Sequence, residues 1–220
     1  MNKQDKIISI IVMIFILIGL SFLFYNLFNF YKIIKIKNEK QIVETTTQEK
    51  YLLSSFINDP IKGERNTQVS IYLFTDYETS ETKNILNIID EIIKKYPKDV
   101  NLVWKDLPLS TNIFSKGSAL AARCSLEQDK YWEYNNELLN TDEKFSLDLY
   151  KRISEKLKMD TNKFVSCYSS QKYLEDIDNN IVEAYVLKVE QIPTIFINQQ
   201  KFEGEITQEN LENIIKSIIK

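Results

Sequence analysis

The sequence predicts an α/β domain interrupted by a long all-helical block and preceded by an apolar segment of membrane-spanning length. Three observations carry this. From Gln68 to Lys83 a strand pattern, with Val69, Ile71 and Leu73 facing one way and Ser70, Tyr72 and Phe74 the other, passes into isoleucines at helical spacing: Ile85, Ile88, Ile89, Ile92 and Ile93. Residues 111 to about 188 read as helix almost throughout, between two β-containing segments. Residues 7 to 31 carry no charge, and roughly 20 apolar residues suffice to span a bilayer.

Composition excludes most catalytic templates. The chain has no histidine, which removes the commonest general base and every Ser-His or Cys-His dyad. Two cysteines are too few for a thiolate zinc site. The four glycines, at 19, 63, 117 and 204, build no phosphate-cradling loop. A formal net charge of −3 gives no electrostatic footprint for nucleic acid. No cofactor and no metal is expected.

In order along the chain, residues 1–37 read as an N-terminal membrane anchor. No alanine precedes Ala119, so no A-x-A signal-peptidase site follows the apolar run. Lysines outnumber on the far side of the span (Lys32, Lys35, Lys37 and Lys40 against Lys3 and Lys6) and by count alone would hold the domain in the cytoplasm. Residues 38–66 read as a polar stalk with a short docking helix near 49–57, ended by Asp59-Pro60 and Gly63. The folded domain is expected over 67–220. A strand at Val69–Phe74 leads through a loop to a helix, with Thr79 placed as its N-cap. Val100, Leu102 and Trp104 mark a second strand, parallel to the first by the usual strand–helix–strand rule. Asp160 or Thr161 caps one helix of the inserted block. Ile192-Pro193-Thr194-Ile195-Phe196-Ile197 and Lys201-Phe202 form a hairpin about a tight turn, and Thr207 opens a last helix.

Several stretches then look familiar together: Phe74-Thr75-Asp76-Tyr77-Glu78 ahead of a helix, Leu120-Ala121-Ala122-Arg123-Cys124 running on to Tyr131-Trp132-Glu133-Tyr134, Phe164 to Tyr168, and Ile192-Pro193-Thr194-Ile195-Phe196-Ile197-Asn198. In this order, over about Gln68 to Lys220, they resemble the DsbA-like branch of the thiol–disulfide oxidoreductases. The resemblance implies a thioredoxin-like fold with a helical insertion at about 111–188. It implies a Cys-x-x-Cys pair at the start of the first helix, where this chain has Thr79-Ser80-Glu81-Thr82. A threonine hydroxyl stays un-ionised at neutral pH and forms no disulfide, so the dithiol cycle has no sulfur there. It also implies a cis Ile192–Pro193 bond facing that turn. That bond either merely shapes the loop or, with Tyr77 and Thr194, frames a shallow groove for an extended segment.

Some members of this family carry a second, structural disulfide in the insertion, and Cys124 and Cys167 resemble that pair. From the residues alone, two buried free thiols and a distant redox pair also stand open. The expectation is a single-pass, membrane-anchored, extracytoplasmic domain without its redox pair, binding a protein partner or extended peptide near the proline loop. The alternative is a thiol–disulfide oxidoreductase using Cys124 and Cys167 in an unconventional way.

Overall fold

The structure is a computed structural model that describes residue 53 and residues 55–108, 114–202 and 205–219. The expected anchor and most of the expected stalk lie outside these residues. Among the described residues no helix is long and apolar enough to cross a membrane.

The described residues form one sheet from strands β1 (Ile61–Lys62), β2 (Val69–Thr75), β3 (Val100–Asp106), β4 (Thr194–Ile197) and β5 (Gln200–Lys201), in the spatial order β1-β3-β2-β4-β5. The helices are α1 (Thr82–Lys95), α2 (Ser115–Cys124), α3 (Tyr131–Leu139), α4 (Leu147–Lys156), α5 (Thr161–Ser169), α6 (Leu174–Val186) and α7 (Gln208–Ile218). β2 and β3 are parallel and joined by α1; the other pairings are antiparallel. The helices α2 to α6 are inserted between β3 and β4.

The alternation of β2 explains its central place. Val69, Ile71 and Leu73 enter the main core with Ile85, Leu86, Ile89 and Ile92 of α1 and Leu211 and Ile215 of α7. Tyr72 and Phe74 face the other side, in a second cluster with Val103, Phe196, Ala184 of α6 and Leu53. A strand buried on both faces needs cover on both, and here the insertion and the chain ahead of the sheet supply the second layer. Each large apolar side chain so buried is worth about 1.5–3 kcal/mol. The hairpin turns at Asn198, in the left-handed region at φ 53°, which asparagine tolerates. Ser146, Asp160 and Thr207 cap α4, α5 and α7 by accepting backbone N–H groups.

The domain begins earlier than the expected boundary at residue 67. Ile61 and Lys62 add an antiparallel edge strand to β3. Gly63, at φ +96°, turns the chain where a Cβ would stand 3.1 Å from the Val100 carbonyl oxygen. Leu53 is 3% exposed, and the Gln199 side chain both donates to its carbonyl (2.7 Å) and accepts from its N–H (3.0 Å). The described part of the expected docking helix, residue 53 and residues 55–57, is not helical. A fully buried ionic cluster completes the tie. Asp59 meets Lys105 (2.6 Å) and Arg123 (3.2 Å), Lys105 also meets Glu183 (2.6 Å), and Arg123 meets Asp106 (2.5 Å). Asn180 donates to Asp59 and accepts from Arg123. Burial pushes the Asp106 carboxyl above its ordinary range, against the pull of the Arg123 guanidinium.

Candidate functional site

The turn between β2 and α1 is built by Asp76. This residue is 2% exposed, and one carboxylate oxygen accepts the N–H of Glu78 (3.1 Å), the N–H of Thr79 (2.8 Å) and the Thr79 hydroxyl (2.7 Å). The other accepts the Ser115 hydroxyl at the start of α2 (2.8 Å). An aspartate that captures N–H groups two and three residues on closes a local turn without help from a helix.

That capture corrects the expectation for Thr79. Its hydroxyl points back to Asp76 rather than forward to a helix, and α1 starts at Thr82 with Glu81 in the cap position and no side-chain cap. Thr82 is fully buried, with its hydroxyl oxygen 2.5 Å from that of Thr75. Both hydroxyls at the positions the resemblance assigns to sulfur are thus engaged inside the protein.

Tyr77 is 5% exposed and belongs to the floor beneath the turn rather than to a surface groove. Its ring stacks on Trp104 with centroids 5.2 Å apart, and its hydroxyl lies 3.0 Å from that of Tyr131 and accepts from Asn135. Burial holds its ionisation far above the usual range. The Ile192–Pro193 bond is cis. Phe74 pairs with Thr194, which sets Pro193 across from Thr75, where β2 leads into the turn. The proline loop and the turn therefore share one end of the sheet. Ile192 and Pro193 are half-buried; Thr194 is buried and donates to the Gln191 carbonyl (2.7 Å).

Cys124 and Cys167 are joined, with Cα atoms 5.8 Å apart. They are 1% and 5% exposed, so the bond is sealed between α2 and α5. Ser115, which touches the turn, is at the opposite end of α2 from Cys124; at a rise of about 1.5 Å per residue the two are separated by about 14 Å along the axis. The disulfide is structural in position and remote from the turn. Among the described residues no three of histidine, cysteine, aspartate and glutamate gather as metal ligands.

Asp76 and Ser115 escaped the sequence reading. Asp76 carried a local signal, an aspartate three residues ahead of Thr79; Ser115 carried none, because its role comes from the approach of α2.

A cis-proline strand set opposite a strand-to-helix turn, with a helical block between β3 and β4, defines a thioredoxin-like fold of the DsbA-like kind. The chain belongs to the thioredoxin family: residues 55–217 match the family model described as Thioredoxin. Among solved structures it is similar to the thiol-disulfide exchange protein alpha-DsbA2 from Wolbachia pipientis, at 21% identity and TM-score 0.67, over 81% of this chain and 97% of that one. It is also similar to oxidised BdbD from Bacillus subtilis, at 16% identity and TM-score 0.66, over 75% of this chain and 95% of that one. At these identities the likeness is one of fold. Among curated proteins it is 27% identical over 161 residues to the Na(+)/H(+) antiporter NhaA 3 of Salinispora tropica. That stretch covers 72% of this chain and 24% of the antiporter, so the chain spans about a quarter of the length of the curated relatives it matches.

Proposed function

We infer that this chain is a membrane-anchored, extracytoplasmic thioredoxin-like domain that passes no electrons at its turn. It acts by holding a partner protein or an extended segment beside Pro193. The observation that carries the reading is the state of the hydroxyls: Thr79 is bonded to Asp76 and Thr82 lies against Thr75, while the chain's two cysteines are joined elsewhere and buried. The uncharged run at 7–31 supports the anchor. A joined cysteine pair fits an oxidising compartment. Ion transport, named for the curated relatives, is not carried over to this chain.

The test uses the full chain in detergent, assayed for insulin reduction and for oxidative refolding of a reduced substrate. Rates equal to the uncatalysed background are expected in both. Turnover clearly above background would overturn the reading. If that turnover vanished in Cys124→Ser, the oxidoreductase alternative would take its place.

A further inference from the structure

We propose that the layer over the sheet's second face is a docking surface for lipid headgroups, carried by Ile57, Val182 and Tyr185. This rests on the membrane anchor inferred above and adds the face that the domain offers to a bilayer. Among the described residues four large apolar side chains stand exposed: Ile57 (86%), Tyr185 (84%), Val182 (51%) and Leu147 (38%). A single one on a surface is ordinary; three of the four in one layer, the most exposed included, are not. Val182 and Tyr185 are three residues apart on α6 and so share its outer face. Ile57 belongs to the segment that lies along the same helix. Leu53 packs with Ala184, Asn58 donates to Asp176 (3.1 Å), and Lys105 meets both Asp59 and Glu183 (2.6 Å each).

The place where the chain enters points to a bilayer as the occupant. Only residues 32–52 separate the uncharged run at 7–31 from Leu53, and Leu53 enters the domain in this layer. A short tether keeps a membrane at high effective concentration, so three side chains suffice for a contact that would be fleeting between free partners. Their chemistry fits the interface. Ile57 and Val182 are aliphatic, and the tyrosine joins an apolar ring to a polar tip, as side chains at headgroup depth do. The Tyr185 carbonyl accepts the N–H of Lys188 (3.1 Å), which sets an exposed lysine at the same end of α6. Exposed Glu190 follows two residues on, so these charges offset and apolar contact holds the surface. Two acids nearer the start of α6 are engaged, Asp176 by Asn58 and Asp178 by Lys116 (2.5 Å).

The experiment places the full chain in nanodiscs of phosphatidylcholine and phosphatidylglycerol, with a nitroxide on one introduced cysteine: Ile57→Cys, Val182→Cys, Tyr185→Cys or, on α4, the control Leu147→Cys. The native cysteines are joined and sealed and take no label. Collisions with oxygen, which concentrates in lipid, are compared with collisions with a nickel chelate, which stays in water. The oxygen-to-nickel ratio is expected to be severalfold higher at 57, 182 and 185 than at 147, and to persist at high salt. With the label at 57, Val182→Asp combined with Tyr185→Asp should return the ratio to that of the control. Co-elution with the discs but equal ratios at all four sites would overturn the docking surface and leave the anchor intact. Labels at 57, 182 and 185 shielded from both reagents would also overturn it and give this face to a second copy of the chain. A chain that did not co-elute with the discs would overturn both readings.

Discussion

Asp76 sets the shape of the turn because a carboxylate out-competes a hydroxyl for nearby donors. A threonine ahead of a run of isoleucines reads as a helix cap, and Thr79 fits that pattern. Three residues earlier stands a stronger acceptor, and it takes both the N–H and the hydroxyl of Thr79. The local part of this was legible in Asp76-Tyr77-Glu78-Thr79. The rest was not: Ser115 and the Trp104 ring that draws Tyr77 inward arrive from other elements. Asp76→Ala would strand two backbone N–H groups and two hydroxyls in a buried place. A loss of about 3 kcal/mol of unfolding free energy is expected, read from the urea midpoint at unchanged slope. Asp76→Asn keeps one carbonyl acceptor and should lose less. A loss below about 0.5 kcal/mol in the alanine variant would show that the turn does not depend on this carboxylate.

Between elements, two ties lie far apart in the chain. The Cys124–Cys167 bond closes a separation of 43 residues between α2 and α5. On the chain-entropy model its removal in Cys124→Ser costs about 4 kcal/mol. Because both sulfurs are buried, the bond should also resist mild reductant until the domain unfolds; thiol labelling in and out of denaturant checks this. The second tie joins α7 to the end of α1. Glu212 accepts from Lys216 (2.6 Å), Lys95 (2.5 Å) and Tyr96 (3.1 Å), and these donors hold its carboxyl down at about 2. A carboxyl lowered by folding adds stability above its unfolded value, near 4.5, and loses it as pH falls toward 2. In Glu212→Gln the decline of stability across that window should flatten, and salt should weaken the effect in the parent chain. The helices themselves were legible from period and caps: Thr207 opens α7 as the sequence reads, and of the two caps it offers for α5, Asp160 or Thr161, the structure uses Asp160. Strand β1 was not, since two residues carry no period and its pairing is fixed by β3.

At the scale of the whole domain, the sheet's second face decides where the fold begins. The sequence places the boundary at residue 67 because Asp59-Pro60 and Gly63 look like punctuation. The same aspartate is the hinge of a buried cluster of three carboxylates and two cations that joins the chain ahead of the sheet to β3, α2 and α6. Local composition could not reveal this, since Lys105, Arg123 and Glu183 lie 46, 64 and more residues further on. Buried ion pairs add little net stability over apolar packing, but removing one partner leaves a charge without compensation, at a cost of about 3–5 kcal/mol. Asp59→Ala is therefore expected to cost that much, while an exposed control such as Glu209→Ala should change little. Truncation separates the two boundaries directly. A chain starting at residue 52 keeps Leu53, Asp59 and β1 and should unfold in one cooperative transition close to that of the full domain. A chain starting at residue 67 loses all three, exposes Tyr72, Phe74 and Val103, and should melt at lower temperature with a broadened transition in calorimetry. If the shorter chain melted like the longer one, the segment ahead of the sheet would be an attachment rather than part of the core.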